Sequence, residues 1–235
     1  MKNPIYILLL ISLCCFVILK ECYGQKSKVQ NLPKYDHQWI HFGFTLGINN
    51  ADFIIHPSPD IKKLDSVYVV ESQAQKGFNL GIVSNLRLGY YFDLRFIPAL
   101  SFSQRKLEYT LTGKNLKPVL IIKNVESTFL EFPLSVKYKS VRVNNGRAYV
   151  MGGAKFSIDL ASQEDVEEDI VKLKKYDYSY EIGFGLDFYL QYFKFSPEIK
   201  LSFGINDMLV KDETIFSQSI DKLNSKILFL SFTFE

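Results

Sequence analysis

The sequence predicts an all-β protein, an eight-stranded antiparallel up-and-down transmembrane β-barrel. Three observations lead there. Apolar residues alternate with polar ones in run after run, which is the period of a strand. The connections between runs alternate strictly between short and long, the pattern of a barrel with tight turns at one end and loops at the other. The parity opposite the apolar one carries charges of both signs, which a small barrel would turn inward and pair.

The first run, 39–49, sets Phe42, Phe44, Leu46 and Ile48 against His41, Gly43, Thr45 and Gly47. In the second, 77–88, Phe78, Leu80, Ile82, Leu86 and Leu88 share a face. The third, 91–104, opposes Phe92, Leu94, Phe96, Leu100 and Phe102 to Asp93, Arg95, Ala99 and Ser101. Beyond Ser103 the apolar residues become odd-numbered (Leu107, Tyr109, Leu111), which predicts a bulge there, with the strand continuing past the membrane level. The fourth run, 127–139, carries Leu130, Phe132, Leu134, Val136 and Tyr138. The fifth is 147–160, the sixth 176–190 and the seventh 193–205. The eighth, 226–235, alternates Leu228, Leu230, Phe232 and Phe234 with Ile227, Phe229, Ser231 and Thr233. So apolar an edge would pair with other chains, and pairing with 39–49 would close it.

The short connections are expected at Gly89-Tyr90, Val141–Gly146 and Gln191-Tyr192, and the long ones at 50–76, 105–126, 161–175 and 206–225. The inward parity holds Arg87, Asp93, Arg95, Glu131, Lys137, Lys155, Asp159, Asp177, Glu181, Asp187, Glu198 and Lys200. Arg95 with Glu131, and Lys155 with Glu181, are candidate pairs. Eight strands leave an interior only wide enough for side chains, so these charges would plug the lumen. Tyr90, Tyr91, Tyr138, Tyr149, Tyr176, Tyr189 and Tyr192 fall near strand ends, where an aromatic girdle belongs. Pro98, Pro133 and Pro197 fall inside strands, and each predicts a bulge or a missing ladder bond. A soluble lipocalin-like barrel would use the same apolar residues pointed inward. The aromatic content, 15% with Phe 20 and Tyr 14, is more than such a domain needs.

Residues 1–24 read as a secretory signal peptide: Lys2, an apolar run from Ile5 to Leu19, and the small residue Gly24. A membrane anchor and a lipoprotein modified at Cys22 are the alternatives. All three cysteines, Cys14, Cys15 and Cys22, lie in this segment, so cleavage would leave no disulfide and no thiol chemistry. Residues 25–38 are polar and are expected to form a flexible periplasmic N-terminus, with residues 39–235 as the outer-membrane barrel. The alternation of connections puts both termini on the periplasmic side. A formal charge of +3, spread along the chain, implies no nucleic-acid partner.

Several segments resemble the outer-membrane β-barrel proteins of Bacteroidetes. They are Gly77-Phe78-Asn79-Leu80-Gly81-Ile82, the run from Tyr90 to Leu107, Leu130-Glu131-Phe132-Pro133-Leu134 and Phe195-Ser196-Pro197-Glu198. Within that group the chain is most similar to the PorT family. The resemblance implies an outer-membrane protein associated with type IX secretion and gliding, with other secretion-machinery subunits and outer-membrane lipids as partners. It implies no catalytic residues.

The residues themselves suggest no enzyme. His37, His41 and His56 have no spacing to carboxylate or serine partners that builds a catalytic site. No metal spacing appears, although the acidic run Glu164-Asp165, Glu167-Glu168, Asp169 could take a divalent cation through oxygen ligands. Gly152-Gly153 and Gly183-Phe184-Gly185 lie in mid-strand and relieve crowding; they do not cradle phosphate. No catalytic, cofactor or metal residues are therefore assigned, and no cofactor or small-molecule substrate is expected. Export machinery is the first expectation, a surface adhesin or receptor the second, and an outer-membrane lipid enzyme the third.

Overall fold

The computed structural model describes residues 29–59, 67–112, 118–161, 171–212 and 214–235. The proposed signal segment 1–24 and the acidic run 164–169 lie outside the described residues. Among the described residues nine strands follow in order: β1 (Ile40–Pro57), β2 (Val67–Arg87), β3 (Phe92–Phe96), β4 (Ala99–Thr112), β5 (Pro118–Lys139), β6 (Gly146–Asp159), β7 (Tyr176–Tyr189), β8 (Lys194–Gly204) and β9 (Ile220–Phe234). A single α-turn, α1 (Ile215–Gln218), precedes β9 and is capped by Thr214. Among the described residues no helix is long and apolar enough to cross a membrane.

All pairings are antiparallel, and consecutive strands are neighbours except β3 and β4, which each pair with β2 and β5. β3 and β4 together occupy one position between β2 and β5, so the nine segments make eight staves. β9 closes on β1, from Phe44↔Phe234 to Pro57↔Ile220. The exposed edge foreseen at the C-terminus is therefore paired. Short connections join β2–β3, β5–β6 and β7–β8 at what we term the turn end; the longer ones lie at the loop end.

Outward residues are apolar over a continuous band. Phe42, Phe44, Leu46 and Ile48 on β1 are exposed, as are Tyr176 through Phe188 at every second position of β7. At about 3.4 Å per residue and a tilt near 40°, the β7 run rises about 30 Å, the thickness of a hydrocarbon core. Leu228 and Phe232 face out, while Ile227, Phe229, Ser231 and Thr233 are buried. The girdle differs from expectation at two positions. Tyr149 and Tyr189 are 2% and 1% exposed, inside the barrel, because they share the odd, inward parity of β6 and β7.

The strand past Ser103 continues beyond the membrane level as expected, and three others also run further than the sequence pattern suggests. β1, β2, β4 and β5 extend through much of 50–76 and 105–126, forming a wall beyond the apolar band. The parity change after Ser103 is not a bulge in β4: its register with β5 is unbroken from Ala99↔Glu131 to Thr112↔Pro118. Even-numbered residues stay outside throughout. What changes is the solvent. Leu100 and Phe102 face the apolar band, whereas Gln104, Lys106 and Glu108 face water and leave Leu107 and Tyr109 fully buried inside. The bulge lies across the seam, in β2, where pairing to β4 shifts between Ala74 and Phe78.

The strand prolines cost hydrogen bonds without shifting register. Pro98 separates β3 from β4, yet pairing to β2 continues in step from Ser84↔Phe96 to Gly81↔Ala99. At Pro197 the β7–β8 ladder skips from Gly185↔Glu198 to Phe188↔Phe195, as a residue without an N–H requires.

Candidate functional site: the filled lumen and its two closures

The inward parity concentrates ionisable groups inside the barrel, and their burial demands partners. Near the turn end, Arg95 (0% exposed) donates to Glu198 at 2.5 Å and to Glu235 at 3.0 Å. Lys137 bonds Asp187 at 2.9 Å, and Asp187 also accepts from Arg147 at 3.0 Å and Ser196 at 2.7 Å. Lys139 pairs with Asp93 at 2.5 Å. Midway along, Lys155 reaches Glu131 at 3.0 Å and Glu181 at 3.3 Å.

Of the two pairs expected from sequence, Lys155–Glu181 forms and Arg95–Glu131 does not. Arg95 lies opposite Ser135 on β5, four residues nearer the turn end than Glu131. It reaches across the lumen to β8 and β9 instead. Lys155 pairs with Pro133, two positions along β5 from Glu131, close enough to reach that carboxylate and to bridge it to Glu181.

Small inward residues make this filling possible. Gly43, Thr45 and Gly47 occupy the inward parity of β1. A Cβ at Gly47 would approach Asn79 Oδ1 and Ser231 Oγ to 2.8 Å.

The turn end is closed by the segment before β1. In place of a free tail at 25–38, its described part is docked. A 3-10 turn at Tyr35–His37 inserts Tyr35 into the mouth. The Tyr35 hydroxyl donates to Glu235 at 2.5 Å, and its ring stacks on His41 at 3.8 Å. Burial, then the charge of Glu235, pushes the Tyr35 phenol far above its ordinary range. Asp36 accepts from Arg142 at 3.2 Å, Arg147 at 3.1 Å and Tyr189 at 3.2 Å. Burial would raise its pKa, but Arg147 and Arg142 outweigh it and hold the carboxyl below the usual range. Asn31 adds bonds to Asn145 and to the Tyr189 carbonyl. A cavity of about 70 Å³ remains beside Asp36, lined by Arg87, Lys139, Arg142 and Arg147. Each of these cations already has an acceptor: the Asp36 carbonyl for Arg87, Asp93 for Lys139, and Asp36 for both Arg142 and Arg147.

The loop end is closed by an apolar core. Phe53, Leu107, Tyr109, Ile220 and Leu223 from the extended strands pack with Val171, Leu173, Met208, Leu209 and Phe216 from the connections. An isolated bridge between Leu173 and Leu209 ties the two connections together. Asp207 accepts from the Leu209 and Leu223 amides, fixing the loop before β9. Between core and charges sits Arg105, fully buried, over the rings of Phe53 at 4.7 Å and Phe129 at 5.2 Å.

The histidines do not converge. His37 and His56 are exposed at opposite ends, and His41 is buried beneath Tyr35. His41 Nε2 lies 2.8 Å from the Tyr35 carbonyl; a carbonyl only accepts, so Nε2 carries the proton. Among the described residues no three His, Cys, Asp or Glu side chains are grouped to hold a metal ion. Among the described residues, ion pairs fill the turn half of the barrel and an apolar core its loop end. Sequence reasoning missed both closures. Val171, Leu173, Met208 and Leu209 lie in irregular connections without periodicity, and the docking of Tyr35 depends on Glu235, two hundred positions away.

No curated protein sequence matches the chain. Among solved structures, OprG of Pseudomonas aeruginosa aligns at 12% identity and a TM-score of 0.44, over 83% of this chain and 94% of that one. Neisserial surface protein A aligns at 9% and 0.41, over 83% and 98%. Ail of Yersinia pestis, solved with the heparin analogue sucrose octasulfate, aligns at 12% and 0.37, over 84% and 98%. Residues 25–210 match the outer membrane protein beta-barrel domain. With that match covering most of its length, the chain belongs to the outer membrane β-barrel domain family.

Proposed function

We propose that this protein is a non-enzymatic, closed outer-membrane subunit that supports a protein-export machine, of the type IX kind its strand motifs resemble. The observation that carries the proposal is the filled lumen. Ion pairs occupy its turn half and an apolar core its loop half. A barrel so filled offers the membrane an anchor and its neighbours a surface. In this reading both termini are periplasmic, and the docked 29–38 segment faces the subunits that deliver cargo. The wall of β1, β2, β4 and β5 projects outside the cell. A clean deletion tests the proposal. Export of many cargo proteins should stop while uptake of small polar solutes stays unchanged; normal cargo export would overturn it.

The projecting wall also favours a second reading, a surface receptor or adhesin. Proteins co-purifying with the intact barrel separate the two: secretion subunits support the first, host or matrix molecules the second.

A further inference from the structure

The cavity beside Asp36 gathers more positive charge than the carboxylates around it neutralise. Arg87, Lys139, Arg142 and Arg147 line it. The side chains of Lys139, Arg142 and Arg147 are only 6%, 7% and 6% exposed, so salt screens them little. Each of the four has an acceptor, but an acceptor is not always a counter-charge. Asp93 meets Lys139, Asp36 meets Arg142 and Arg147, and Asp187 meets Arg147. Asp187 is shared with Lys137 as well. Five cationic side chains thus share three carboxylates. Deeper in, Arg95 and Lys194 are matched by Glu198 and Glu235, which leaves no negative side chain over.

Arg87 is the group left out. Its Nε donates to the Gly89 carbonyl at 3.2 Å and its Nη1 to the Asp36 carbonyl, both uncharged. Its second terminal nitrogen has no protein acceptor among the described residues, and neither has that of Arg147, which uses Nε on Asp187 and Nη1 on Asp36. The Asp36 carboxylate also lines the cavity, but both its oxygens are taken, by Arg142, Arg147 and Tyr189. Arg87, Lys139 and Arg147 all stand on the inward parity of their strands, so the cavity is reached from the aqueous mouth and not from the lipid face. A single water needs about 10–15 Å³ of such space, and the roughly 70 Å³ here takes a small polyatomic ion.

We propose that this cavity binds a phosphate group in its dianionic form, free or as a monoester. Arg87 and Arg147 would donate to it through the terminal nitrogens left over, since a guanidinium fork suits phosphate oxygens. Lys139 would add charge. A dianion neutralises both cations in excess, whereas a diester, with one charge, neutralises half of that excess. The assignment does not depend on the export role.

The test is calorimetric titration of the full-length protein in an uncharged detergent at about pH 8, where a phosphate monoester is dianionic. The probes are inorganic phosphate, diethyl phosphate and dihexanoyl phosphatidic acid at matched ionic strength. Inorganic phosphate should bind about tenfold more tightly than diethyl phosphate, and Arg87→Gln should weaken it about tenfold, the scale of one charge-assisted hydrogen bond. Arg87→Lys, which keeps the charge, should recover part of that loss, and Lys226→Ala, exposed on β9, should change nothing. Heat-dependent gel mobility verifies that each variant is folded. Phosphatidic acid binding as tightly as inorganic phosphate supports a pocket that reads the phosphate alone; tighter binding, equally sensitive to Arg87→Gln, supports the same pocket with a lipid as its source. Absence of inorganic phosphate binding by the wild type overturns the site, as does equal binding of the diester. Binding undiminished in Arg87→Gln overturns the assignment to this cavity.

Discussion

Tyr35 and Glu235 stand 200 positions apart in sequence and share a 2.5 Å hydrogen bond at the turn end of the barrel. Glu235 also meets Arg95 and Lys194, and its side chain is wholly buried. The Glu235 carboxylate is thus an interior group. Glu235→Gln should destabilise the barrel by about 3–5 kcal/mol, because Arg95 and Lys194 would lose a shared counter-charge. Tyr35→Phe should cost only about 1 kcal/mol, since Glu235 keeps both cations. Urea-induced unfolding in detergent micelles measures both.

Asp36 gives the docked segment an acid limit. Its carboxyl is held below the usual range, so the unfolded state takes up a proton before the folded one does. The stabilisation is complete above the ordinary carboxylate pKa of about 4 and is lost as the pH falls further, through the lower folded value. Cleavage after Lys34 by an acid-active protease should accelerate across that window. In Asp36→Asn it should be fast and no longer depend on pH there.

Lys155 bridges Glu131 and Glu181, so removing it strands both carboxylates. Lys155→Met should cost about 3–5 kcal/mol by leaving two carboxylates unpaired. Adding Glu131→Gln and Glu181→Gln to it should recover much of that loss. The unfolding midpoints of the single and triple variants decide the matter; equal midpoints would contradict the bridging geometry.

The boundary of the apolar band can be located by arginine substitution. Phe44→Arg, within the band, should cost about 2–4 kcal/mol, whereas Ile122→Arg, on the projecting wall, should cost about 0–1 kcal/mol. Both residues point outward, at 52% and 44% exposure, so only the surrounding medium distinguishes them. Refolding into lipid vesicles provides the measurement.

The barrel was legible because lipid and lumen impose opposite demands on alternate residues. That made the β1–β9 closure and the facing of Leu228 to Phe234 readable from the pattern alone. The same rule misled at Leu107, Tyr109 and Leu111. There the pattern inverts because the outside becomes water and the inside becomes a core, and parity records polarity without recording medium. Arg95 shows a second limit. Parity says that a charge points inward, but its partner depends on height along the tilted strands, which only the register supplies. The loop-end closure had no periodic signal at Met208, Leu209 or Phe216.

The luminal ion pairs also constrain how the barrel can assemble. Arg95, Lys137, Asp187 and Glu198 find partners across the interior, from strands far apart in the chain. A half-inserted sheet with β1 and β9 still apart would present that charged face to hydrocarbon, at about 2.5–3.5 kcal/mol for each charge near the bilayer centre. Insertion ahead of closure is therefore steeply uphill. The sheet has to curl as it enters, so that the hinge between its two edges shuts at the pace the membrane is crossed.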